Sequence, residues 1–177
     1  GITRPGIIHR LDKDTSGVMV ACKHDVAHRI LAEQLLDRSM ARRYLAIVHG
    51  NMGRDSGEID APIARHPVHR QKMAVVEGGR QAKTYFFVKE RLSGCTLVEC
   101  RLDTGRTHQI RVHMASLGNP VVGDKLYGPK RPKVKMGRQA LHAFHLGLLH
   151  PGTGESMAFT APLPEDMEKL MARLARS

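Results

Sequence analysis

The sequence predicts an α+β domain, a mixed, largely antiparallel sheet with helices packed against it. Three observations carry that prediction. Apolar runs of strand length outnumber the segments with helical spacing. Two of those runs, Lys83–Glu90 and Cys95–Leu102, flank Ser93-Gly94 and read as an antiparallel hairpin. At 177 residues and 41% hydrophobic content, the chain suits one domain that buries about 70% of its unfolded surface. No internal repeat or second-domain boundary interrupts it.

Val18 to Lys23 reads as a buried strand, and Asp25 then caps a helix whose Ala27, Ile30, Leu31 and Leu35 follow the helical period. Tyr44–Val48 is the next strand, ended by His49-Gly50. Residues 51–58 hold Gly, Asn, Asp and Ser, a turn-rich connection, and Arg65 to Lys72 is a basic loop. After the hairpin, Thr104-Gly105 starts a second helix, with Ile110, Met114 and Leu117 on one face and Gly118 as its stop. Residues 128–138 form a basic loop containing Pro. Two further strands follow, Leu141–Leu149 and Met157–Ala161. The last helix begins near Pro164, with Glu165 and Asp166 where the helix dipole favours acids. Its Met167, Leu170, Met171 and Leu174 form a core stripe.

Lys and Arg number 28 against 17 Asp and Glu, a formal charge of +11 spread along the whole chain. A folded basic surface of this kind favours polyanions, chiefly nucleic acid, with an anionic membrane second. No apolar stretch nears the roughly 18 residues that span a bilayer. Three cysteines are an odd count, too few for a disulfide framework, which points to a reducing, cytoplasmic compartment. The chain opens on Gly1 rather than Met, as a piece of a longer protein would.

The chemistry concentrates in Gly6–Gly17, where His9, Arg10, Asp12, Lys13 and Asp14 crowd between two apolar segments. Charges beside buried strands cost desolvation, so folding alone does not call for them. A solvated turn closed by Ser16-Gly17 is the plain alternative. The spacing from Asp12 to Gly17 imitates a calcium loop, but Lys23 stands where the ion needs a bidentate Glu. Eleven histidines raise the question of metal, yet no pair has ligand spacing and no His-Glu-x-x-His occurs. Phosphate loops, dinucleotide fingerprints and the Gly-x-Ser-x-Gly elbow are all absent. What remains beside Asp12 is the arginine-rich segment Thr104-Gly-Arg-Thr-His-Gln-Ile-Arg111. Its Arg106 and Arg111 serve equally as phosphate contacts or as partners that hold a buried Asp ionised.

Three motifs together resemble one family. His9-Arg-Leu-Asp-Lys-Asp-Thr-Ser-Gly17 resembles the HRLDxxTSG signature of RluA/RluD-type pseudouridine synthases, which act on large-subunit ribosomal RNA. Arg43-Tyr-Leu-Ala-Ile-Val-His-Gly50 is similar to that family's RxYxAxVxG motif, and Leu102–Met114 to its third. Arg65-His-Pro, Lys72–Val75 and Pro120–Tyr127 match as well, closest to the synthase D branch. The resemblance implies the pseudouridine synthase fold and a catalytic domain over residues 1–177 that lacks the earlier NKPxG-type part and any S4 RNA-binding domain.

It also implies roles. Asp12 is the nucleophile on a flipped-out uridine, Tyr44 stacks on the base and serves in proton transfer, and Arg111 pairs with Asp12. Ile110 lines the pocket. Arg10 fills the gap that base flipping leaves in the RNA, a step that costs a few kcal/mol. Arg106, His108, Arg65 and Lys72 are expected RNA contacts. The reaction needs no cofactor and no metal. The expected partner is large-subunit (23S-type) ribosomal RNA, with no membrane, and the expected state is a monomer. Two other readings stand beside it: an RNA-binding or ribosome-assembly module without catalysis, and a synthase directed at transfer RNA.

Overall fold

The hairpin signalled by Ser93-Gly94 lies inside the main sheet of the computed structural model, which describes residues 5–175. Its strands, β6 (Lys83–Leu92) and β7 (Cys95–Leu102), pair antiparallel. In chain order they are preceded by β1 (Ser16–Gly17), α1 (Asp25–Leu36), β2 (Ala41–His49), β3 (Ser56–Asp60), β4 (Ile63–Arg65) and β5 (Met73–Val75). They are followed by α2 (Gln109–Ser116), β8 (Leu141–Leu149), β9 (Ser156–Thr160) and α3 (Glu165–Ala175). Across the seven-stranded sheet the order is β1-β8-β2-β7-β6-β3, and β9 shares the outer edge of β8 with β1. Among the described residues only the β1–β8 pair is parallel, so the sheet is mixed and largely antiparallel, as predicted. β4 and β5 form a separate small ribbon.

β2 is central because its Ala46, Ile47 and Val48 are all fully buried, inward on both faces of the pleat. The stripe on α3 behaves as its period dictates: Met167, Leu170 and Leu174 are buried in the main core cluster beside Val98, Cys100 and Phe86. Each buried Leu of that stripe contributes about 1.5–3 kcal/mol by leaving water. α1 seats Leu31 against Met40, Leu146 and Leu148. Its buried Gln34 pairs both ways with the backbone of Leu149, donating to the carbonyl at 2.9 Å and accepting from the N–H at 2.8 Å. That polar group is therefore buried without loss.

Local chemistry corrects four of the expected elements. Val18 to Lys23 is not a strand. Its ladder ends at Gly17↔Ala143, and Val20 and Cys22 give their N–H groups to His9 Nε2 and the Gly6 carbonyl. The cap of α1 is His24, whose ring accepts the Ala27 N–H, while Asp25 is the first helical residue. The connection at 51–58 contains the start of β3, which pairs with β6. The second helix starts at Gln109, not Thr104, because His108 adopts a left-handed φ of 57° that a helix does not continue through. Among the described residues no helix is long and apolar enough to cross a membrane.

Candidate active site

Asp12 stands on a loop that the neighbouring chain holds almost atom by atom. The Asp12 carbonyl accepts the Thr15 N–H at 3.0 Å, a tight turn in which Asp14 takes a φ of 68°. That conformation suits the short polar side chain of Asp, and it assigns Asp14 to the turn. Gln139 donates to the Lys13 carbonyl at 2.6 Å and to Thr15 Oγ1 at 3.2 Å. Arg138 donates to the Asp14 carbonyl at 3.0 Å, and Ser16 bonds His142 Nδ1 at 2.8 Å. Arg138 also forks onto Asp166 at 2.7 and 2.8 Å, which ties the loop to the start of α3.

Asp12 faces Arg111. Arg111 Nη1 donates to Asp12 Oδ2 at 3.3 Å, and the Asp12 side chain is 15% exposed. The rest of the guanidinium belongs to Asp124, whose oxygens accept from Nε at 2.6 Å and from Nη2 at 2.9 Å. Asp124 is wholly buried and accepts two further bonds, from the N–H groups of Leu126 and Tyr127. Burial pushes the Asp124 carboxyl pKa up, but the Arg111 fork and those N–H groups outweigh it and hold the pKa below its usual range. Arg111 responds in reverse: burial lowers its pKa, and the two carboxylates raise it above the ordinary guanidinium value. The Tyr127 ring lies 5.1 Å from the guanidinium carbon, a cation–π contact on its remaining side.

Asp12 and Arg111 lie in a cleft of about 700 Å³. Its wall includes Tyr44, Ile110, Arg10, Arg42, His9 and Leu141, and its rim includes Arg38 and Asp103, an ion pair at 3.4 Å. Burial pushes the Tyr44 phenol pKa up, Arg42 opposes that, and Asp12 adds to it, so the phenol keeps its proton at neutral pH. His9 is pushed down to about 4 by burial and by Arg42. Its Nε2 accepts the Val20 N–H at 3.1 Å, which places the ring proton on Nδ1.

The segment before α2 is fixed from inside. Gln109 Oε1 accepts from Thr104 Oγ1 at 2.8 Å and from the Arg106 N–H at 2.9 Å. Its amide nitrogen donates to the Lys83 carbonyl and to Thr84 Oγ1. Thr84 then meets His113 Nδ1 at 2.9 Å, and His113 Nε2 donates to the Ala61 carbonyl at 2.9 Å. Every member of this buried chain is satisfied, so it acts as a rigid strut. His108 meets the Tyr127 hydroxyl at 2.7 Å, and that hydroxyl also accepts the Met73 N–H. Burial lowers the His108 pKa, which leaves the ring neutral beside that hydroxyl.

Of the residues singled out in the sequence, Asp12, Tyr44, Arg111, Ile110, Arg10, Arg106 and His108 all line this one cleft. Arg106 does so from the segment ahead of α2, with its Nε donating to the Gln81 carbonyl. Arg65 and Lys72 do not line it. Arg65 closes the β4–β5 loop by donating to the Arg70 carbonyl at 2.9 Å. Lys72 lines a second concavity with Lys125, Lys130 and Lys135. Two residues of the main site went unmarked in the sequence. Arg42 had a signal, since it stands two positions before Tyr44 on a strand, where alternation brings side chains to one face. It is also Arg42, not Arg43, that stands first in the RxYxAxVxG spacing. Asp124 lies in the matching segment Pro120–Tyr127, but nothing in that segment distinguishes it from a surface Asp between Gly and Lys. Among the described residues no cluster of three or more His, Cys, Asp or Glu is arranged to hold a metal ion.

A sequence model for the family described as RNA pseudouridylate synthase matches residues 1–116. The chain is 51% identical over 177 residues to a Bacillus subtilis protein named uncharacterized RNA pseudouridine synthase YlyB, covering 100% of this chain and 58% of that one. It is 48% identical over 177 residues to ribosomal large subunit pseudouridine synthase D of Nitrosomonas europaea, covering 96% of this chain and 51% of that one. Its fold is similar to the human protein RNA pseudouridylate synthase domain containing 4, with a TM-score of 0.78 and 26% identity over 95% of this chain and 75% of that one. The chain thus spans little more than half the length of these curated relatives.

Proposed function

Because the chain belongs to the RNA pseudouridylate synthase family, we propose that it isomerises uridine to pseudouridine in large-subunit ribosomal RNA, with Asp12 as the nucleophile. The observation that supports this most is the placement of Asp12. A carboxylate, a buried phenol and a guanidinium held by a second carboxylate converge in one cleft. Binding RNA phosphates gives no use for a carboxylate in that position, since it repels them. Covalent rearrangement does, and the carboxylate is a nucleophile whose position is already fixed.

The isomerisation balances within the substrate. The bond from the ribose carbon to the base nitrogen breaks, and a bond from the same carbon to C5 of the base forms. The proton lost from C5 is matched by one gained at the freed nitrogen. No electrons are exchanged with a cofactor. Asp12 supports the separated ribose or base, Tyr44 packs on the ring with its hydroxyl protonated, and Ile110 gives the base an apolar wall. Arg10, exposed at the edge of the cleft, occupies the position that the extruded nucleotide vacates. Residues 1–177 belong to the catalytic domain.

The test is incubation with large-subunit ribosomal RNA, followed by carbodiimide treatment and mapping of reverse-transcription stops. Specific new stops are expected with the wild type and none with Asp12→Asn. Undiminished conversion by Asp12→Asn sinks the catalytic assignment. Conversion confined to transfer RNA redirects the substrate.

A further inference from the structure

Among the described residues, one guanidinium of the cleft has a buried donor that folding leaves unsatisfied. Arg42 lines the cleft from β2, two positions ahead of Tyr44. Its Nε is buried with no hydrogen-bond partner. Among the described residues no carboxylate lies within ion-pair distance of it, and no aromatic ring stacks on it. The nearby Asp103 is engaged elsewhere, by Arg38 at 3.4 Å and by the Tyr85 hydroxyl at 3.3 Å. Burial lowers the pKa of Arg42, as expected of a cation that its surroundings do not neutralise, and the weaker pulls of Tyr44 and Asp103 do not reverse that.

The arrangement around it is specific. A Cβ on Gly105 would lie 2.6 Å from Arg42 Nη1, so the guanidinium rests against the backbone of the segment that the Gln109 strut fixes. Of the other arginines lining the cleft, Arg38 and Arg111 have carboxylate partners, Arg106 has the Gln81 carbonyl, and Arg10 is exposed to water. A buried donor without a partner is a cost to the folded state that a bound acceptor removes. A planar fork with always-charged nitrogens matches phosphate oxygens.

We propose that Arg42 is an anion-binding residue of this cleft, and that its ligand is the phosphodiester adjoining the nucleotide seated against Asp12 and Tyr44. The identity of that ligand rests on the isomerase reading above; the presence of an anion site does not. Arg42 then positions substrate by its backbone, independently of which base is read, and its loss raises KM more than it lowers kcat.

Binding of uridine and of uridine 3′-monophosphate to the chain, followed by NMR titration, tests the site directly. The nucleotide is expected to bind about ten- to hundredfold more tightly than the nucleoside. Arg42→Gln erases that preference and leaves uridine binding unchanged, while Arg42→Lys keeps part of it. Gly105→Ala, which crowds the guanidinium without removing its charge, weakens the nucleotide selectively. A thermal melt of each variant identifies simple misfolding, and Arg42→Lys together with Gly105→Ala carries the test if Arg42→Gln does not fold.

A wild type that binds both probes equally, or neither, overturns the proposal, as does an Arg42→Gln chain that keeps the preference. If the wild type converts ribosomal RNA but Arg42→Gln has its KM, Arg42 alone is excluded and the isomerase stands. If the preference depends on Arg42 while no RNA is converted, the anion site stands and the isomerase falls.

Discussion

Asp124 holds Arg111 by two charge-assisted hydrogen bonds, 2.6 and 2.9 Å long, and leaves it one nitrogen for Asp12. The direction of that nitrogen is thus set from behind, by a carboxylate with no exposure to the cleft. Asp12 receives a partner that it does not itself have to orient. Asp124 is in this sense a positioning residue for the proposed nucleophile.

Asp124→Asn removes the charge but keeps the shape, and it presents an amide N–H₂ or a neutral oxygen to the guanidinium. Uncompensating a buried ion pair costs about 3–5 kcal/mol, so the variant is expected to melt well below wild type. In the fraction that folds, kcat is expected to fall about a hundredfold with KM nearly unchanged, because only the reacting geometry is disturbed. Denaturant melts and single-turnover conversion of RNA measure the two effects. Wild-type values in both would show that Arg111 does not depend on Asp124.

The Asp12 loop makes a second demand, on Gly17. This residue has a φ of +123°, and a Cβ there would lie 2.1 Å from the Ala143 carbonyl oxygen. Gly17→Ala is expected to destabilise the fold by at least about 2 kcal/mol, from backbone strain and the clash with β8. It is also expected to shift Asp12, so activity at saturating RNA falls even where the protein is folded. Urea unfolding and initial rates at low temperature separate the two. A variant as stable as wild type would mean that the β1–β8 register is not fixed there.

Much of this was legible in advance, and the exceptions have physical causes. β7 announces itself as a run of strand-forming residues buried on both faces, and α3 because its burial follows the helical period. β4 and β5 are three residues each, too short for alternation to register. Val18 to Lys23 has the composition of a strand, but beyond Val18 the N–H groups of Val20 and Cys22 are taken by His9 and Gly6 rather than a ladder, which composition does not reveal. The helix that carries Arg111 starts late because His108 turns left-handed and Gln109 folds its own side chain back onto Thr104 and Arg106. In the site, Asp12, Tyr44 and Arg111 stood in recognisable motifs. Arg42 stands in the second motif as well, whereas Asp124 matters through the Arg111 that lies across from it in space, which no local spacing encodes.

His9 gives a pH prediction with a definite sign. Its pKa is about 4 in the folded chain against 6.5 for the free side chain. Above pH 6.5 both states are neutral at this residue, and it contributes no pH dependence. As pH falls from there toward 4, the unfolded chain takes up a proton that the folded chain refuses, so stability declines through that window. The loss from His9 is at most about 3 kcal/mol. Burial also lowers His49 and His113, and both act in the same direction. His9→Gln is expected to flatten the decline without abolishing it. Unfolding free energies at a series of pH values measure this, and an unchanged slope would exclude His9 as a contributor.

The second concavity supplies the last prediction. Lys72, Lys125, Lys130 and Lys135 line it, away from Asp12, and among the described residues none of them forms an ion pair. Four unpaired cations at one concave surface are suited to RNA phosphates rather than to chemistry. Neutralising one phosphate-binding lysine is expected to reduce the slope of log affinity against log salt by about 0.7–0.9. Lys130→Gln with Lys135→Gln should therefore lower the slope by about 1.4–1.8, weaken binding most at low salt, and leave the rate at saturating RNA intact. Filter-binding affinities across a salt series decide it. A variant with the wild-type slope would assign these lysines to solvent, and one with a reduced saturating rate would place them closer to the reacting nucleotide than the cleft geometry does.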